Sequence, residues 1–319
     1  MGEVKWEKVE ILGKGWHGTV CKVKMSAPEK MKGRVLAVKS SKGEYSDFLK
    51  REGRILRSFI GCKEIVQCGG SQTCIEDGKL VCNLIMELAP YGSLEGLIKK
   101  RGVLSECEVR MYAIMLLKGL SVIHQRGIVH CDLKPDNILL FPSTQCGIDY
   151  QLKIADFGVS KTRDERLDLT PWTIRFRGTP NYMSPESVMG LIDTPLDIWS
   201  FGCILIKMIT GFSVWNNISD IQDLTFKLAF LKQAPPLPSF LSLDCQDFLS
   251  RCFLKNPIQR WTATMLLNHP FLLAANDAPP STLPMSTFAF SSCDRYFLSC
   301  LGKPKIKTQK RVEGGGGGG

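Results

Sequence analysis

His130-Cys131-Asp132-Leu133-Lys134-Pro135-Asp136-Asn137 crowds two acids, a lysine and an asparagine into one short stretch of the chain. On its N-terminal side, Ser105–Gln125 repeats apolar residues at helical spacing: Val109, Tyr112, Ala113, Leu116, Leu117, Leu120 and Ile123. Ser105 and Glu108 are spaced for a capping box at its start. On the C-terminal side, Ile138–Phe141 and Leu152–Ile154 read as short strands, and Asp156-Phe157-Gly158 follows the second. The polar stretch therefore falls in a connection between a helix and a strand, where scaffolds present reactive side chains.

The residue types in these two motifs suit one chemistry. Asn137 and Asp156 offer oxygen ligands of the kind that hard divalent ions such as Mg2+ take. Asp132 supplies a carboxylate able to accept a hydroxyl proton. Lys134 is placed to face a phosphate in transit. Transfer of a phosphoryl group from Mg-ATP needs all four.

Two upstream features agree. Gly13-Lys14-Gly15-Trp16-His17-Gly18-Thr19-Val20 is a glycine-rich turn between two predicted strands, Val9–Leu12 and Thr19–Met25. Taken alone it is a plain hairpin as readily as a phosphate cradle. A dinucleotide-binding fold would place a helix after the glycines, and none is predicted there. Ala37-Val38-Lys39 puts a lysine on the next strand, either as a solubilising charge or as a phosphate ligand. Glu52 lies within Ser46–Phe59, a helical pattern with apolar Phe48, Leu49, Ile55, Leu56 and Phe59, capped by Ser46 or Asp47. An ion pair from Glu52 would aim Lys39; without one, Glu52 is a solvated helix face. Asp77-Gly78 predicts a hairpin joining a strand near Ile65–Gly69 to Leu80–Glu87. Pro28–Gly33 reads as a loop. Pro195–Thr210, Asp244–Phe253 and Ala263–Leu267 read as later helices.

From about Trp6 to Phe271 the sequence resembles the eukaryotic protein kinases. Gly178-Thr179-Pro180-Asn181-Tyr182-Met183-Ser184-Pro185-Glu186 is similar to the end of their activation segment, with Ser184 in place of the usual Ala. Asp197–Gly202 is similar to the buried helix of their large lobe, and Arg260 to the partner of Glu186. The Lys134–Thr179 pairing is the one associated with Ser/Thr rather than Tyr specificity. Asn256–Arg260 followed by Leu266–Phe271 resembles the MAP kinase kinase kinase branch. The His130-Cys131-Asp132 variant and the Glu87-Leu88-Ala89 stretch are similar to its plant members. The resemblance implies an α+β fold of two lobes, a small antiparallel β-sheet lobe with one helix to about Ala89 and a larger helical lobe from about 90 to 273.

It also implies roles. Asp132, Lys134, Lys39 and Glu52 would be catalytic. Leu12, Gly13, Lys14, Gly15, Trp16, His17, Gly18, Thr19 and Val20 would cover ATP, with Ala37, Lys39, Met86 as gatekeeper, the backbones of Glu87 and Ala89, and Leu139. Leu12, Val20, Ala37 and Leu139 also read as core. Asn137 and Asp156 would hold Mg2+. Phe157, Gly158, Thr170, Thr173, Thr179 and Glu186 would belong to the activation segment. Leu56, His130 and Phe157 would stack as a spine, with Asp197 anchoring His130. The implied enzyme is an ATP-dependent protein serine/threonine kinase acting on a MAP kinase kinase in stress signalling. The competing readings are a pseudokinase scaffold, against which Lys39, Glu52, Asp132, Asn137 and Asp156 argue, and a small-molecule phosphotransferase, against which Gly178–Glu186 argues.

Composition narrows the class further. The 319 residues are 44% hydrophobic and 23% charged, which excludes a chain disordered throughout, a collagen and a coiled coil. Lys+Arg is 41 against Asp+Glu 31, a formal net charge of +10 that suits anionic ligands. The 13 cysteines form no CxxC pair and only four histidines are present, so no zinc site is expected. Without a secretory segment they are expected as reduced thiols. Apolar runs such as Cys203–Ile206 stop far short of a membrane span. Trp6 stands where a myristoylation signal carries Ser or Thr. A monomeric catalytic domain over 1–273, in the cytoplasm and also the nucleus, is the expectation.

Residues 274–319 are rich in Ser and Pro, then basic, then a glycine run, and are expected to be disordered. Lys303, Lys305, Lys307, Lys310 and Arg311 suit nuclear import or an acidic partner, or a solvated tail. No aromatic interleaving supports nucleic-acid binding. Cys131 stands where related kinases carry Arg, which grips a phosphorylated segment. The expectation is that activity depends little on phosphorylation at Thr170 or Thr173. Lys161, Arg163, Arg175 and Arg177 are the alternative cations.

Overall fold

The computed structural model describes residues 4–273, apart from Trp16, His17, Glu44, Asp77, Cys146, 166–176, Ser219 and Lys232. Five antiparallel strands open the fold: β1 (Lys5–Gly15), β2 (Gly18–Ala27), β3 (Val35–Lys42), β4 (Cys68–Glu76) and β5 (Lys79–Met86). Their order is β1-β2-β3-β5-β4. Lys39 thus sits on an interior strand, opposite Val20 of β2 and Leu84 of β5. Helix α1 (Tyr45–Ser58) packs across β3, β4 and β5. It buries Leu49, Glu52, Ile55 and Leu56.

Three details depart from the sequence expectation. Helix α1 starts at Tyr45, so neither Ser46 nor Asp47 caps it; the Ser46 hydroxyl donates to Ser41 O instead. Phe48 is 42% exposed and not on the buried face. The first strand of the second hairpin begins at Cys68, because Ile65 bridges to Ile154 and Val66 N–H donates to Ile154 O. The Pro28–Gly33 loop contains a short 3-10 turn, Glu29–Met31.

The second lobe is helical: α2 (Leu94–Arg101), α3 (Glu106–Gln125), α4 (Pro185–Val188), α5 (Pro195–Thr210), α6 (Ile221–Ala229), α7 (Leu243–Cys252), α8 (Ala263–Leu267) and α9 (Pro270–Leu273). A two-stranded ribbon, β6 (Ile138–Pro142) and β7 (Tyr150–Ile154), lies across α3. All seven apolar positions read on α3 are buried, and the Ser105–Glu108 capping box is formed. Helices α2 and α6 were not expected from the sequence. Their caps are the usual kind: Ser93 Oγ accepts from Gly96 N–H, and Asp220 accepts from Gln222 and Asp223 N–H. The core runs continuously from Leu49 and Phe59 through α3 to Trp199, Phe248 and Phe271.

Helix α5 is the tightest part of that core. A Cβ added at Gly202 would lie 2.9 Å from Phe253 Cζ and 3.0 Å from Cys252 Cβ. The Phe253 ring cannot swing aside freely, since it meets Trp199 edge-on at 5.1 Å. Gly202→Ala therefore lowers unfolding stability by ~1–3 kcal/mol through overpacking. The helix propensity gained, ~1 kcal/mol, works the other way. A urea titration of both proteins checks this; equal or higher stability in the variant refutes it. No helix among the described residues is long and apolar enough to cross a membrane.

Candidate active site

The loop from His130 to Asn137 takes its shape from a carboxylate in the deep core. Asp197, wholly buried in the first turn of α5, accepts from His130 N–H at 2.8 Å and Cys131 N–H at 3.0 Å. His124 Nε2 lies 2.9 Å from the same group. These bonds hold Cys131 at φ 70°, a left-handed conformation that a non-glycine residue adopts only when its surroundings impose it. The anchoring of His130 by Asp197 is as expected.

His130 itself is fully buried. Its Nδ1 accepts from Asp132 N–H at 3.3 Å, so the ring proton sits on Nε2, 3.0 Å from Ala155 O. Both nitrogens are engaged, and no group of three or more His, Cys, Asp and Glu side chains placed to hold a metal occurs among the described residues. The Phe157 ring stands between His130 (4.9 Å) and Phe59 (5.5 Å), which makes Phe59 a further member of the stack with Leu56 in the same core.

Asp132 is the centre of a dense polar group. Its Oδ2 accepts from Lys134 Nζ at 2.8 Å and Asn137 Nδ2 at 3.1 Å. Its Oδ1 accepts from the Thr179 hydroxyl at 2.7 Å. Lys134 Nζ also donates to Thr179 Oγ1 at 2.8 Å, so Lys134 and Thr179 are paired as the sequence suggested. Asn137, 8% exposed, sends its amide nitrogen to Asp132 Oδ2 and O, which turns its Oδ1 the other way.

Across the cleft, Lys39 Nζ donates to Glu52 Oε2 at 2.8 Å and Asp156 Oδ1 at 2.9 Å. Glu52 is therefore a buried partner of Lys39 and not a solvated helix face. Burial works against the Lys39 ammonium, but the two carboxylates outweigh it and raise its pKa. Burial also pushes the Asp156 carboxyl up; Lys39 and the Gly158 N–H outweigh that and bring it down to about 2. Asp156 has φ 64°, and its side chain is 42% exposed. An ionised carboxylate at Asp156 and the amide oxygen of Asn137 are donors of the kind that Mg2+ takes.

The glycine-rich turn joins β1 to β2, with Gly13 opposite Val20, Lys14 opposite Thr19 and Gly15 opposite Gly18. Trp16 and His17 lie outside the described residues. Gly18 is obligatory: at φ 135° a Cβ would come 2.2 Å from Ser40 O. Ala37 pairs with Met86, and Met86, Ala89 and Leu139 gather on Val66, Phe141 and Ala155. Leu12 is 46% exposed and Val20 and Leu139 are half-buried, so of the four residues expected in the core only Ala37 is buried there. Glu87 N–H donates to Gln67 O, and its carboxylate holds Lys153 Nζ at 2.7 Å. The latter pair was not foreseen.

Thr170, Thr173 and Arg175 lie outside the described residues. Further on, Ser184 and Ser187 form a capping box for α4, an advantage of Ser over the usual Ala. Glu186 pairs with Arg260, which is 4% exposed, donates to Leu254 O and Pro195 O at 2.9 Å, and stacks on Trp199 at 5.1 Å.

Comparison with known proteins agrees with this geometry. The protein kinase domain family matches residues 6–272. Mitogen-activated protein kinase kinase kinase 20 of Arabidopsis thaliana is 36% identical over 274 residues, covering 84% of this chain and 78% of its own. Kinase kinase kinases 17 and 18 of the same plant are 37% and 35% identical over 287 and 286 residues. These alignments cover 88% and 85% of this chain and 73% and 78% of the relatives. The chain belongs to the protein kinase family, as a serine/threonine kinase of the MAP kinase kinase kinase type.

Proposed function

We propose that the chain phosphorylates a MAP kinase kinase, with Asp132 as the base. The observation that carries this is the Asp132–Lys134–Thr179 group, which pairs a carboxylate with a hydroxyl and an ammonium at hydrogen-bond distance. The substrate Ser or Thr oxygen bonds to the γ-phosphorus of ATP as its proton passes to Asp132. The bond from that phosphorus to the β-γ bridging oxygen breaks, and ADP departs with the electron pair. Lys134 offsets the charge on the transferring group, and Lys39, held by Glu52, orients the α- and β-phosphates. Bound Mg2+, with Asn137 and Asp156 as its ligands, would neutralise the nucleotide oxygens. Leu12, Val20, Ala37, Met86 and Leu139 would enclose adenine, with the Glu87 and Ala89 backbones bonding its edge. Positioning and charge neutralisation supply most of the catalysis in such a site.

The relatives' names support a MAP kinase kinase as the substrate, and the resemblance to plant members supports a place in stress signalling. We assign 1–273 to catalysis and 274–319, outside the described residues, to location or partner choice. The test is transfer of labelled γ-phosphate to a panel of inactivated MAP kinase kinases and to a generic protein. Selective labelling of one of the panel is expected. Labelling of the generic protein alone overturns the substrate assignment, and labelling of neither overturns the reaction.

A further inference from the structure

Two arginines distant in sequence meet at one carboxylate beside the active site. Arg51, in α1, has Nη2 2.9 Å from Glu165 Oε2 and 2.8 Å from Ser160 O. Arg177 donates to Val159 O and Ser160 O, both at 3.3 Å, and both its terminal nitrogens reach the Glu165 carboxylate. The side chains of Arg177, Glu165 and Arg51 are 6%, 18% and 26% exposed. Two guanidinium groups this far out of water require an anion between them, and here the chain's own Glu165 provides it.

Cys131, in the neighbouring corner, supplies no cation of its own. Cys131 is 4% exposed, and burial, reinforced by Asp197, pushes its thiol pKa far up, so it remains neutral. Nor is there room for a larger rearrangement at this point: a Cβ at Gly178 would lie 2.5 Å from Cys131 O. The backbone just before Glu165 is also tied down, since Lys161 exchanges both backbone hydrogen bonds with Val129. Arg51 immediately precedes Glu52, whose carboxylate holds Lys39. On a rigid helix, whatever fixes Arg51 fixes Glu52.

We propose that Glu165 is a positioning residue for phosphotransfer: its carboxylate ties α1 to both flanks of the activation segment and keeps Glu52 on Lys39 with no phosphate on the chain. Without that charge, the carboxylate that joins Arg51 to Arg177 is lost, the two guanidinium groups repel, and the hold on α1 weakens. This inference rests on reading the site as a phosphotransfer centre. Its test is arranged so that the two can fail separately.

The full chain is stripped of phosphate with a phosphatase. Turnover on a protein substrate and amide hydrogen exchange across 45–58 are then measured for wild type, Glu165→Gln and Glu165→Asp, with Asp132→Asn as the reference for lost chemistry. Stripped wild type is expected to keep its turnover. Glu165→Gln is expected to lose about tenfold or more in kcat with the substrate KM unchanged and faster exchange in α1; Glu165→Asp, which keeps the charge, recovers most of both. Wild-type exchange and turnover in Glu165→Gln overturn the proposal while a dead Asp132→Asn leaves the site's reading standing. Loss of turnover with faster α1 exchange on stripping wild type also overturns it. The exchange measurement needs no turnover, so the clamp is judged even where no substrate is phosphorylated.

Discussion

Asp132→Asn abolishes most turnover, by a factor of ~10²–10⁴, the usual worth of a positioned general base. The amide fills the same space and keeps a carbonyl oxygen, so the bonds from Lys134, Asn137 and Thr179 can largely re-form around it. It has no basicity for the hydroxyl proton. Nucleotide binding is assigned to residues other than Asp132 and is expected to persist. Titration with a fluorescent ATP analogue beside a transfer assay separates the two. More than about a tenth of wild-type turnover in the purified variant would remove Asp132 from its role.

Lys39→Met has a comparable effect on rate and a second signature in stability. The transferring nucleotide loses the buried ammonium of β3, worth ~10²–10³ in kcat for a preorganised charge. Within the protein, Glu52 and Asp156 lose the ammonium between them. Burial already pushes the Glu52 carboxyl up, and Lys39 is what opposes it. In the variant that opposition is lost and the Glu52 carboxyl is pushed up further. Its folded pKa then lies above the unfolded one, so the variant is better off below the unfolded pKa and loses ground as pH rises through the folded one. The stability deficit against wild type should shrink on acidification. Melts of both proteins across the acid range, paired with transfer assays on the same samples, decide it. Unchanged turnover would make Lys39 merely a structural charge.

The polar group around Asp132 was legible because most of its residues are short-range neighbours in sequence. Asp132, Lys134 and Asn137 fall in one loop, and Asp156 follows the next hairpin. The distant contacts were not. Arg51 and Glu165 are separated by 114 residues, and no periodicity links them. Glu87–Lys153 and Glu95–Lys207 are likewise tertiary pairs that only the fold brings together. The misplaced first strand of the second hairpin has a different cause. Ile65 and Val66 carry the stronger β signal but are spent on contacts with Ile154, while Gly69 and Gly70 weaken the signal of β4 itself. Helix α6 did carry a pattern, with Leu224 and Leu228 buried behind the Asp220 cap, but its exposed Ile221, Phe226 and Phe230 blur the apolar stripe.

The hydrogen bonds around Asp132 also bear on wasted nucleotide. A carboxylate has about four lone-pair directions, and Thr179, Lys134 and Asn137 already engage three. A solvent molecule reaching the remaining direction meets a base whose partners are all protein groups, and nothing beyond that single bond orients it toward phosphorus. On the proposed reading, a peptide hydroxyl positioned by the rest of its bound chain would enter the same direction already aligned. With Asp132 as the proposed base, hydrolysis of ATP in the absence of an acceptor protein is expected to be slow relative to productive transfer, because the base is crowded.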